Sequence, residues 1–115
     1  MDHPEVRLDA SVGEQSTTVT VAGDLDMLTA PRFRDFTCAK VSERPQPLVI
    51  DMTGVGFVDS TGISALVAIR LHAKRLDQTV VVEPSRRVHA ALKLAQLSDV
   101  FQADHPDDPG SVQPA

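Results

Sequence analysis

The chain has no tryptophan and no tyrosine, and four phenylalanines hold its aromatic content to 3%. Interfaces and single-strand nucleic-acid platforms draw on aromatic anchors, so a base-stacking surface is not expected and Leu, Val, Ile and Ala must build the core. A single cysteine, Cys38, excludes an internal disulfide. Free cysteine is among the most buried residue types, which places Cys38 in the core of the first helix rather than in a redox sensor. Basic residues never cluster beyond Arg86-Arg87, and 16 acids against 11 bases give a net charge of -5, so no nucleic-acid partner is expected. Long apolar runs are also missing: none approaches the roughly 20 residues that span a bilayer. The opening "MDHPEVRLDA" has neither a basic n-region nor an apolar h-region. A cytoplasmic protein without direct membrane contact is the expectation. His3, His72, His89 and His105 show no paired spacing, so neither a metal site nor a cofactor is proposed.

What is present suits one domain: 115 residues, 42% hydrophobic and 23% charged. Leu8, Ala10 and Val12 alternate with polar residues, "GEQS" intervenes, and Val19 and Val21 alternate again, which predicts an antiparallel hairpin. Thr29 and Pro31 then open a helix with Phe33, Phe36 and Ala39 at helical spacing, ending before Pro45. "PLVIDM", residues 47 to 52, reads as a central strand covered on both faces. A second helix from Thr61 carries Leu66, Ile69, Ala73 and Leu76 in one stripe, with Ile63 and Val67 beside it and Arg70, Lys74 and Arg75 in the remainder. "TVVVEP" predicts another buried strand, and Ser85 caps a third helix whose apolar face is Val88, Leu92 and Ala95. "LSDVFQ" suggests a short final edge strand. The fold class is therefore α/β, a mixed sheet with an antiparallel hairpin, parallel βαβ strands and helices packed on it. The domain is expected over residues 1–102, and 103–115, proline-rich and acidic, as a disordered tail.

The stretch "FVDSTGISAL", residues 57 to 66, lies where a strand of an α/β sheet leads into a helix, the usual place for a site. Three readings of its hydroxyls compete. Asp59, Ser60 or Thr61 is a helix cap, worth about 1 kcal/mol. Ser60 as a nucleophile lacks a base, since His72 and His89 lie in other helices, and Gly-x-Ser-x-Gly is absent. Gly54 and Gly56 are spaced for turns, without the Gly-Lys-Ser/Thr of a phosphate loop. The third reading is phosphoryl acceptance: a hydroxyl at a helix N-terminus sits where dipole and amides favour added negative charge. Asp59, and Asp26 if its loop lies alongside, would face that charge.

"GDLDMLTAPRF" (23–33), "LVIDMTGVGFVDSTGISAL" (48–66) and "LKLAQLSDVF" (92–101) resemble, in order, the three characteristic blocks of STAS domains, specifically bacterial anti-sigma factor antagonists. The resemblance implies the STAS fold, no enzymatic activity and a partner switch that regulates transcription. The unphosphorylated antagonist binds an anti-sigma factor that is also a serine kinase, and phosphorylation by that kinase ends the complex. It implies Ser60 as the acceptor, with Thr61 as the lesser candidate, and Asp26, Asp59, Thr61 and Gly62 as its neighbours. Ser64 and Arg70 would lie on the partner-binding side of the second helix. A phosphatase would reverse the mark, and the free protein is expected to be a monomer with no apolar stripe left over. The alternative is a STAS adaptor in a membrane transporter or stress-signalling assembly; sensing of a small ligand ranks last. Gln96 departs from the family pattern, which usually has glycine there.

Overall fold

Alternation of apolar and polar residues builds the strands and 3.6-residue periodicity the helices of this computed structural model, which describes residues 6–103. The order is β1 (Arg7–Val12), β2 (Thr17–Leu25), α1 (Ala30–Glu43), β3 (Leu48–Val58), α2 (Ser60–Arg75), β4 (Val80–Pro84) and α3 (Arg86–Leu94). The sheet runs β1-β2-β3-β4, with β1 antiparallel to β2 and the other neighbours parallel. This is the mixed α/β arrangement expected from the sequence. Ala103 is buried, and the rest of the expected tail, 104–115, lies outside the described residues. No described helix is long and apolar enough to cross a membrane.

One face of the sheet carries the core. Thr17, Val19 and Val21 of β2, Leu48, Ile50 and Met52 of β3, and Val80, Val82 and Pro84 of β4 are buried. The intervening Thr18, Thr20, Val49, Asp51, Val81 and Glu83 are half-buried or exposed. The expectation of a strand covered on both faces is thus corrected. All three helices contribute to a single cluster, through Phe33 and Val41, Leu66 and Ile69, and Val88 and Leu92, so the opposite face keeps the polar alternation of a half-covered sheet.

β3 is longer than expected. It continues through Gly54 and Gly56 to Val58, because β2 offers backbone partners as far as Leu25. Two register shifts, between Thr20 and Ala22 and between Gly23 and Asp24, each add a residue to β3. Asp51 supports the first, its Oδ1 accepting from the Thr53 amide at 3.0 Å and the Thr53 hydroxyl at 2.6 Å. Gly54 is a close-approach residue rather than a turn glycine, since a Cβ there would lie 2.9 Å from that of Ala22.

The helices differ from expectation in detail. Ala39 is exposed; the buried face of α1 is Ala30, Phe33, Thr37 and Val41, because mixed i+3 and i+4 steps hold one face while two successive i+3 steps from Phe33 turn away from it. Cys38 is half-buried against the core, and burial pushes its thiol above the ordinary value. Ser85 caps α3 as expected, accepting from the Val88 amide at 3.2 Å. Ala95 is exposed as the C-cap of α3. "LSDVFQ" forms a tight turn, not an edge strand: Leu97 and Phe101 recur at four residues, and the Phe101 amide bonds to the Leu97 carbonyl at 3.2 Å. The Phe101 carbonyl still accepts from the Val82 amide at 2.9 Å, so this turn covers part of β4's outer edge.

Gln96 has φ 60°. It closes α3 in a Schellman arrangement, with Leu97 N–H bonded to Leu92 C=O at 2.8 Å and Gln96 N–H to Lys93 C=O at 3.0 Å. A left-handed residue with a Cβ is strained by about 1–2 kcal/mol, and glycine relieves this while losing about 0.4–1 kcal/mol through the unfolded chain. Gln96→Gly is therefore expected to stabilise the domain by about 0.5–1 kcal/mol, seen as a higher urea midpoint at unchanged slope.

Candidate functional site

The last pairing of β2 with β3 is Leu25 with Val58, and the next amide, Asp59 N–H, donates to the Leu25 carbonyl at 3.1 Å. This contact brings the turn after β2 against the start of α2. Asp26 therefore does lie alongside the 59–62 stretch. Gly62 is buried directly over the junction: a Cβ there would meet Val58 Cγ2 at 2.6 Å, Leu25 Cβ at 3.0 Å and the Leu25 carbonyl oxygen at 3.2 Å. Only glycine lets the first turn of α2 sit this close to the end of β2.

Of the three candidate caps, the structure selects the carboxylate. Asp59 Oδ1 accepts from the Thr61 amide at 2.9 Å and the Gly62 amide at 3.3 Å, and the Thr61 hydroxyl donates to the same oxygen. The hydrogen bond from Thr61, with the two amides, holds the Asp59 carboxyl below the ordinary carboxylate range against the opposing effect of burial. The Asp59 carbonyl accepts from the Ile63 amide at 3.2 Å. Ser60 makes none of these bonds. It is the first residue of α2 and is exposed, whereas Thr61 is half-buried.

Asp26 organises the other turn in the same way. Its Oδ1 accepts from the Leu28 and Thr29 amides at 2.9 and 3.1 Å, while its own amide donates to the Thr29 hydroxyl at 3.0 Å. Thr29 occupies the N-cap position of α1, yet its hydroxyl donates to the Asp24 carbonyl at 2.6 Å and makes no cap bond. Both carboxylates are thus engaged in shaping turns.

Between the starts of α1 and α2 lies a groove of about 300 Å³, lined chiefly by Met27, Pro31, Arg34, Ser60, Ser64 and small alanines. Ser64 is exposed on the same side of α2 as Ser60, one turn on. Arg70 is elsewhere: ten residues after Ser60, about 15 Å along the helix, it is half-buried and lines a separate depression with Lys74, Gln78 and Gln102. Sequence reasoning missed Arg34, Met27 and Leu28. Met27 and Leu28 are 72% and 64% exposed, so the expectation that no apolar surface remains is corrected. Two large apolar residues placed in a turn, outside any periodic stripe, were the available signal. His72 and His89 are half-buried helical positions, within hydrogen-bond reach of the Ser42 hydroxyl at 2.7 Å and the Ala103 carbonyl at 2.8 Å. The described residues hold no cluster of three potential metal ligands.

Two stability outcomes follow from this geometry. Gly62→Ala is expected to cost about 1–3 kcal/mol, because backbone as well as side-chain atoms block the new methyl, and urea unfolding measures it. Asp59→Ala is expected to cost about 1 kcal/mol at neutral pH through loss of the cap. Because the folded-state pKa of Asp59 is lowered, its contribution is complete above the unfolded value of about 3.9 and fades as pH falls through the folded one. The gap between wild type and Asp59→Ala should therefore stay level from pH 8 to 5 and narrow below pH 4 in urea titrations.

Comparison with known proteins agrees with this architecture. An anti-sigma-B factor antagonist of Listeria monocytogenes is 29% identical over 85 residues, which cover 73% of this chain and 75% of that protein. The crystal structure of an anti-sigma factor antagonist from Mycobacterium paratuberculosis superposes with a TM-score of 0.74 at 27% identity, covering 90% of each chain. The unphosphorylated anti-sigma factor antagonist SpoIIAA shares the fold, with a TM-score of 0.69 at 14% identity over 90% of each chain. The STAS domain model matches residues 4–108, and the chain belongs to the STAS domain family.

Proposed function

We propose that this protein is an anti-sigma factor antagonist that works by partner switching, with Ser60 as its phosphoryl acceptor. The observation that carries the reading is the exposed Ser60 hydroxyl, first in α2, outside the cap and at the mouth of the groove between α1 and α2. Thr61 is the lesser candidate because its hydroxyl is engaged with Asp59. The names of the Listeria and Mycobacterium relatives support the same role.

The domain acts as substrate and binding partner, not as catalyst. Ser60 Oγ takes the terminal phosphoryl group of ATP: a new O–P bond forms, the bond to ADP breaks, and the hydroxyl proton passes to a base that the kinase supplies. His72 and His89 sit against other groups and offer no base to Ser60. In the unphosphorylated state, an anti-sigma factor with serine-kinase activity docks over Ser60 and Ser64, with Met27 and Leu28 as apolar contacts. The phosphate adds a charge of about -1.5 to -2 to an interface formed around a neutral hydroxyl. A cost of only about 3 kcal/mol lowers affinity more than a hundredfold. Arg70, on a different side of α2, contributes only to a partner that wraps the helix. A phosphatase resets the switch, and the free protein is a monomer in the cytoplasm, where kinase and ATP are found.

The test is the intact mass, with peptide mapping, of wild type and Ser60→Ala after incubation with ATP and the anti-sigma kinases of the same cell. One phosphate on Ser60, absent in Ser60→Ala, with kinase binding weakened at least a hundredfold in Ser60→Asp, is the expected result. A stable complex that leaves Ser60 unmodified would overturn it in favour of a permanent adaptor.

A further inference from the structure

A phosphate on Ser60 would meet an electrostatic problem. Three amides of the first turn of α2 are already taken: Thr61 and Gly62 donate to the Asp59 carboxylate, and Ile63 donates to the Asp59 carbonyl. Asp59, next to Ser60 and held below the ordinary carboxylate range, keeps a negative charge beside the acceptor. The dipole of α2 offsets this carboxylate only in part, and its effect is confined to the first turn. A cation across the groove would supply the rest.

Among the groove-lining residues, Arg34 is the one charged side chain. It stands on α1 one turn beyond Ala30 and Pro31, across the groove from Ser60 and Ser64. Its present partner is its neighbour Asp35, reached through Nε alone at 3.0 Å, with both side chains substantially exposed. Exposed pairs of this kind hold weakly. The terminal guanidinium nitrogens are not used in that pair, and their fork suits two phosphate oxygens.

We propose that Arg34 is a phosphate-binding residue: once Ser60 is phosphorylated, the Arg34 guanidinium leaves Asp35 and clamps the phosphate across the groove between α1 and α2. The inference rests on Ser60 as the acceptor. It adds a second element to the switch, because a clamped phosphate covers the groove beside Met27 as well as placing charge in the interface. Ser64, on the same lip, supplies a hydroxyl donor to the remaining oxygen. Arg32 is exposed on the same helix but lines a different depression, beside β1 and β2. It therefore gives a control for the general loss of one positive charge.

The experiment uses full-length protein with phosphoserine incorporated at position 60 during translation, so that it does not depend on finding the kinase. The second phosphate pKa is measured by 31P NMR titration in wild type, Arg34→Gln, Arg34→Lys and Arg32→Gln. A free phosphoserine titrates near about 6. Arg34→Gln is expected to raise the value by about half a unit over wild type, about a threefold gain in proton affinity. Arg34→Lys should recover part of the shift, as a point charge without the fork, and Arg32→Gln should move it much less. Equal values in wild type and Arg34→Gln, or an equal shift in Arg32→Gln, would overturn the clamp. Failure of kinases to phosphorylate Ser60 would overturn the acceptor reading instead, so the two failures are told apart.

Discussion

The contact on which the rest of the site depends is the hydrogen bond from the Asp59 amide to the Leu25 carbonyl, made at the point where β2 and β3 stop pairing. It joins two turns that are 34 residues apart in sequence. It ties the start of α2 to the end of β2, above the buried Ala65 and Leu66 that seat the helix on the sheet. Gly62 makes the contact possible by bringing backbone to backbone, and the buried Leu25 and half-buried Val58 close around it. The two bulges in β3 serve the same end, because they let a strand of eleven residues finish level with one of nine.

Two aspartates then divide the work around that contact. Asp59 satisfies the amides of α2 and Asp26 those of the turn before α1, each with a single carboxylate oxygen. A serine placed after a capping aspartate is released from any structural duty. This is why Ser60 is exposed while its neighbours on both sides are held. A hydroxyl that stabilises nothing is suited to modification, since its conversion to a phosphate breaks no internal bond. The same arrangement engages the amides of Thr61, Gly62 and Ile63 with Asp59.

Much of the architecture was legible in the sequence because its periodicities are strong. The hairpin follows from Leu8, Ala10, Val19 and Val21, and the core stripe of α2 from Leu66, Ile69 and Ala73. Where the reading failed, the missing information was the neighbour. "LSDVFQ" has a strand-like composition, yet Phe101 is buried at four residues from Leu97, and the segment coils to seat it. Gly54 and Gly56 look like turn residues until β2 is seen to run beside them. Glutamine is not a residue that favours a left-handed backbone, so Gln96 hides the φ that the Schellman closure of α3 imposes.

The sequence by itself determined the α/β class, the family and the identity of the stretch around Ser60, because all three are written in local pattern and in residues adjacent along the chain. Tertiary structure alone decided that the turn after Leu25 meets the start of α2 and that Arg34 lines the same groove as Ser60. Those relations join residues tens of positions apart. They depend on where strands end and how closely two helices approach, quantities that packing sets and no local pattern encodes.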